Sequence, residues 1–121
     1  MTARLGNITF DCDDVLAVAA FWSAVLGRPV DGGSSEWFAS IGGADSDRRE
    51  PAWYFNRVTE SKQAKNRVHL DLVNADPAAV DELVQLGATV IGEHGIRGHR
   101  WTVLHDPEGN EFCIAAKSFT G

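Results

Sequence analysis

The order of apolar and polar positions along this chain repeats itself. Residues 7–12 alternate, with Ile8, Phe10 and Cys12 on one side and Asn7, Thr9 and Asp11 on the other. Strict alternation is the period of a half-buried strand. Next, Ala17, Ala20, Phe21, Ala24 and Val25 recur at helical spacing and predict one apolar helix face. Asp13 or Asp14 is placed to cap that helix, Gly27 to end it and Pro29 to prevent its continuation. The plan then recurs. Val68, Leu70 and Leu72 alternate with His69, Asp71 and Val73. Asp76-Pro77 reads as an N-cap with proline at the first helical position, and Val80, Leu83 and Val84 form a stripe closed by Gly87. In both copies the first polar residue, Asn7 or His69, stands seven positions before the Asp that opens the helix, Asp14 or Asp76.

Further strands are expected near residues 28–31, 36–41 and 52–58 in the first half and near 89–92, 100–105 and 111–116 in the second. Gly32-Gly33-Ser34-Ser35 and Asp106-Pro-Glu-Gly-Asn110 read as turns. The polar stretch 42–51, with Asp45, Asp47, Arg48, Arg49 and Glu50, reads as a solvated loop rather than a site for a charged substrate group. Residues 59–66 read as the connector. Each half is therefore β-α-β-β-β, and the fold class is α+β. One domain spans 1–121, with a first module over about 5–58 and a second over about 67–117.

A length of 121 residues suffices for a real core. The net charge of −6, with acids and bases interspersed, argues against a nucleic-acid or anionic-membrane surface. The N-terminal residues lack an apolar signal core, and no apolar run is long enough to span a bilayer, so a cytoplasmic protein is expected. Cys12 and Cys113 suggest neither a disulfide framework nor a CxxC zinc site.

Strand parity divides the remaining residues. The apolar sets Ile8/Phe10, Val68/Leu70/Leu72 and Phe112/Ile114 are expected under the helices. The opposite faces carry Asn7/Thr9/Asp11, His69/Asp71 and Glu111/Cys113/Ala115, and are free to hold a ligand. Tyr54 and Asn56 share one parity, and Trp101, Val103 and His105 another whose face parity alone does not assign. Tyr54, Trp101 and Trp37 offer flat surfaces for stacking on a ligand. The Gly-rich, basic segment 92–100 reads more simply as a hairpin loop than as a lid.

Three stretches carry a family resemblance: Ala19-Ala-Phe-Trp-Ser-Ala-Val-Leu-Gly27, Lys65-Asn-Arg-Val-His-Leu-Asp-Leu72 and Trp101-Thr-Val-Leu-His-Asp-Pro-Glu-Gly-Asn-Glu-Phe-Cys113. The chain resembles the vicinal oxygen chelate superfamily, the glyoxalase/bleomycin-resistance/dioxygenase fold, and within it the small glyoxalase-like domain proteins. The resemblance implies two βαβββ modules forming a partly open mixed-sheet barrel, a homodimer and a small-molecule ligand. It also implies a divalent metal such as Zn, Ni, Fe or Mn held by two ligands from each module. His69 falls on the first ligand position of the second module, and Asn7 on its equivalent in the first. Asn56 falls near the last-strand position of the first module, and Cys113 where metal-using relatives carry Glu. Asn offers only a weak neutral carbonyl, and Cys only a thiol that must lose its proton. The expectation is a small-molecule-binding protein with a degenerate metal site. In that site His69 and Asp71 do the chemistry, and Asn7, Tyr54, Asn56, Trp101 and Cys113 bind ligand. The alternative is a metal-dependent lyase or isomerase of glyoxalase type, with His69 on the metal.

Overall fold

A computed structural model of the chain describes residues 2–43 and 50–118. The charged residues Asp45, Asp47, Arg48 and Arg49 of the expected loop lie outside them. The chain divides into two units, Met1–Ser61 and Lys62–Gly121. The first contains β1 (Asn7–Cys12), α1 (Val15–Leu26), β2 (Phe38–Ile41) and β3 (Ala52–Arg57). The second contains β4 (Leu70–Val73), α2 (Ala79–Leu86), β5 (Thr89–Ile96), β6 (His99–His105) and β7 (Glu111–Ala115). Each unit is a small mixed sheet with one helix, and the class is α+β.

In the first unit the strands run in the order β1-β3-β2, with β1 parallel and β2 antiparallel to β3. The strand expected near 28–31 is reduced to one bridge, Val30 to Ile41. Asp14 caps α1 by accepting from the Ala17 N–H at 3.2 Å, and Gly27 closes it at φ 65°, a left-handed value that glycine adopts without strain. The buried face of α1 is Val15, Val18, Ala19, Phe21 and Trp22, not the stripe through Ala17, Ala20 and Ala24. Apolar residues surround this helix, so periodicity alone does not choose a face. The face that carries both Phe21 and Trp22 wins, because two large rings remove more surface from water. Trp22 packs with Phe10 and Trp53, and Phe10 with Phe55, at ring-centroid distances of 5.1–5.7 Å.

The second unit orders its strands β4-β7-β6-β5, with β4 parallel to β7 and the other pairs antiparallel. Its buried residues include Ala79 and Leu83 of α2 with Leu104, Phe112 and Ile114. Three expectations are corrected here. Val68 is 81% exposed, because β4 begins only at Leu70 and the chain bends before it. The Asp76 carboxylate accepts from the Ala78 N–H at 2.9 Å, which makes a turn over Pro77 and delays the helix to Ala79. Val84 is exposed, since the eight-residue helix has room for one narrow stripe.

The strand expected near 89–92 instead runs on to Ile96. A bulge causes the discrepancy. Val90 pairs with Leu104 and Gly92 with Val103, leaving Ile91 without a partner residue. The alternation changes phase there, which disguises one strand as a strand followed by a loop. The segment 92–100 is therefore a hairpin, closed by Arg97 at φ 51° and Gly98 at φ 77°. Positive φ at both central residues defines the primed turn that matches strand twist. Among the described residues no helix is long and apolar enough to cross a membrane.

Candidate functional site

The open face of the second unit's sheet is a cleft of about 670 Å³. That size falls within the range of small-molecule pockets. Strand register explains what lines it. Asp71 lies opposite Cys113, and Cys113 opposite Val103, so these three form one row across β4, β7 and β6. A second row contains Val73, paired with Ala115, and Trp101, paired with His94. Trp101 and Val103 line this cleft, which assigns the face that parity left open. Cys113 and Val103 are short side chains on the floor, and the bulky rings stand to one side.

At one wall, donor atoms of His69, Asp71 and Cys113 lie within 4.8 Å of one another. His69 immediately precedes β4, and its Nδ1 meets Asp71 Oδ1 at 3.2 Å. With the proton on Nδ1 donating to Asp71, the Nε2 lone pair remains an acceptor. Burial pushes the Cys113 thiol above its ordinary pKa, and the Asp71 charge and a hydrogen bond to Asp71 add to the rise; Lys65 opposes them. The thiol therefore holds its proton, and Asp71 joins the imidazole to the sulfur.

Glu111 shares the face but is already engaged. Its carboxylate accepts from the Asn66 N–H at 2.8 Å and from Lys62 Nζ at 3.0 Å, and His105 Nε2 lies 3.7 Å away. Burial alone raises its pKa, but the Asn66 and Lys62 hydrogen bonds, Glu111's own N–H and the ammonium charge outweigh it and hold the carboxyl at about 2.

The lining contributed by β5 and β6 is a row of rings. Trp101 stacks with His94 at 5.8 Å and with His99 at 5.6 Å, with interplanar angles of 21° and 30°. The sequence alone does not single out His94 or Lys65, both of which line the cleft. Had the bulge been recognised, continuing the alternation through Gly92, His94 and Ile96 would have placed His94 on this face.

The other expected site residues belong to the first unit. The Asn7 amide donates to Thr9 Oγ1 at 2.8 Å. Tyr54 is opposite Thr9 in register and makes an edge contact with Phe38 at 5.5 Å. Asn56 is opposite Asp11, four register steps beyond the pairing of Asn7 with Ala52, or roughly 13 Å at strand rise. The residue placed as Cys113 is in the second unit is thus Tyr54, not Asn56. Trp37 is 64% exposed, with the Arg57 guanidinium over its ring at 5.3 Å.

A profile of the glyoxalase-like domain matches residues 7–115. The chain therefore belongs to the glyoxalase-like domain family, within the vicinal oxygen chelate superfamily, and has its fold. No curated protein sequence matches it. Among solved structures, it is 25% identical to a glyoxalase/bleomycin resistance protein/dioxygenase family enzyme from Burkholderia phytofirmans, with a TM-score of 0.68 over 93% of this chain and 97% of that one. A fosfomycin resistance protein from Listeria monocytogenes, solved with manganese(II) and 1S,2S-dihydroxypropylphosphonic acid, is 16% identical, with a TM-score of 0.76 over 98% and 94%. A bleomycin-binding protein from Streptomyces verticillus, solved with copper(II)-bleomycin, is 22% identical, with a TM-score of 0.61 over 98% and 100%.

Proposed function

We propose that this chain is a small-molecule-binding glyoxalase-like protein whose ligand occupies the cleft of the second unit and whose superfamily metal set is degenerate. The observation that carries this reading is the lining of one cleft, which holds both a His69–Asp71–Cys113 cluster and the Trp101 ring. Such an arrangement holds a ligand's flat part on the indole and presents a polar group to the cluster. Where the ligand is turned over, Asp71 and His69 move a proton, since the pair offers a carboxylate and an imidazole in direct contact. Asn7 and Tyr54 share a face of the first unit's own sheet, where they offer an amide and a phenol for ligand contacts. The donor set opposes a metal held by both modules. Asn7 offers a carbonyl whose own amide nitrogen is engaged by Thr9, Asn56 is far from Asn7, and the Cys113 thiol is held protonated.

The reading is tested by calorimetry with a panel of metabolites and planar antibiotics, together with elemental analysis of protein purified without chelator. Saturable binding lost in Trp101→Leu, with no stoichiometric metal, is expected. Stoichiometric Zn, Ni, Fe or Mn that disappears in His69→Ala overturns the degenerate site.

The proximity of three donor types favours one second reading, a metal-dependent lyase or isomerase of glyoxalase type. His69, Asp71 and the Cys113 thiolate would then hold one divalent ion within the second unit, and that ion would supply Lewis-acid polarisation of a substrate oxygen. A melting temperature indifferent to divalent ions sinks this alternative.

A further inference from the structure

The cleft's charges are unevenly committed. The whole chain is acidic, with 17 Asp and Glu against 11 Lys and Arg. The cleft is balanced instead, with two acids and two lysines in its lining. Its acids are Asp71 and Glu111, and both are occupied: Asp71 by His69 and the Cys113 thiol, Glu111 by Lys62 and the Asn66 N–H. Its lysines, Lys65 and Lys117, form no salt bridge among the described residues. Imidazoles of His94 and His99 flank the indole and offer further N–H donors beside a flat apolar surface. An uncharged ligand would bring no counter-charge to the two ammonium groups. An anion held against the ring row would engage them.

Resting on the cleft reading above, we infer that the cleft selects planar organic acids: a conjugated or aromatic ring stacked along Trp101 and His94, with its carboxylate or similar anionic group met by Lys65 and Lys117. The ring row supplies area and orientation, and the lysines supply the preference for charge. Exposed lysines contribute modestly, so the discrimination expected from the pair is several-fold, roughly 3- to 10-fold.

The test uses two probes of equal shape, naphthalene-2-carboxylate and naphthalene-2-carboxamide, titrated calorimetrically into the full chain at low and high salt. The carboxylate is expected to bind roughly 3- to 10-fold tighter at low salt, with the advantage shrinking as salt screens the lysines. The Lys65→Gln/Lys117→Gln double variant, checked for an unchanged melting temperature, is expected to bind both probes equally. Trp101→Leu is expected to weaken both together. Equal or tighter binding of the carboxamide overturns the inference, as does a carboxylate preference that survives in the double variant. Those outcomes leave the cleft reading standing if the neutral probe still saturates and is lost in Trp101→Leu. Failure of both probes, and of every member of the broader panel, defeats the cleft reading itself.

Discussion

The two units make the same local contact with different chemistry. In the first, Asn7 bonds to Thr9 two residues along the strand, and Tyr54 lies across from Thr9. In the second, His69 bonds to Asp71 two residues along, and Cys113 lies across from Asp71. Backbone register places the three side chains alike in each. What differs is their capacity to titrate. Asn and Thr do not titrate at working pH, whereas the residues in their places, His and Asp, do. Repeating a backbone therefore repeats a geometry but not a reactivity. The cores differ as well: the first unit is held by a cluster of Phe10, Trp22, Trp53 and Phe55, the second by Leu83, Leu104, Phe112 and Ile114.

The largest expected effect tests the difference in cores. Trp22 is fully buried, and Trp22→Ala is expected to cost about 3–5 kcal/mol. Leu83→Ala in the shorter helix is expected to cost about 2–3 kcal/mol by the same combination of lost transfer energy and residual cavity. Urea denaturation of both variants measures this, and a Leu83→Ala cost equal to that of Trp22→Ala removes the claimed asymmetry.

A smaller effect concerns acid. The Glu111 carboxyl ionises at about 2 in the folded chain, against an ordinary value of 4.5. The unfolded chain binds the proton first as pH falls, so this stabilisation is complete above about 4.5 and is lost as pH falls toward 2. Glu111→Gln is expected to flatten the melting temperature across that window. An unaltered acid slope would show that the Lys62–Glu111–Asn66 contacts do not anchor the second unit.

The smallest effect is chemical. Asp71 contributes to the raised pKa of Cys113 by charge and hydrogen bond, so Asp71→Asn is expected to lower it and raise the thiolate fraction. Alkylation of Cys113 by iodoacetamide near neutral pH should then quicken roughly 3- to 10-fold, since each pKa unit is tenfold in thiolate. Cys12, fully buried in the first unit, is the internal reference and should keep its rate. A Cys113 rate that does not change would uncouple Asp71 from the sulfur.

Much of the fold was legible because strands of strict alternation announce themselves. The sets around Phe10 and Leu70, both helices and their closing glycines all follow from period and end signals. The failures came where two signals competed. Spacing ignores side-chain size, so it groups Ala17, Ala20 and Ala24 with Phe21 and Val25 on one face of α1, and it extends β4 back to Val68, which precedes it. The site was legible in part: His69, Asp71, Cys113 and Trp101 fall on one cleft. Family position puts Asn56 near the end of the first module's last strand, whereas register puts Tyr54 opposite Thr9 and Asn56 opposite Asp11. His94 escaped because the bulge at Ile91 reverses parity midway through β5.

That bulge has an evolutionary consequence. A strand contributes every second residue to a face, so a shift of one exchanges the whole set. Ile91 is the exception, because it is the residue the ladder leaves over. Deleting it would bring Val90, opposite Leu104, next to Gly92, opposite Val103, and every residue of β5 would keep its partner and its face. A deletion within Gly92–Ile96 meets no such slack, because each residue there is paired. The bulge is thus a place where the strand can lose one codon in evolution with the lining of the cleft unchanged.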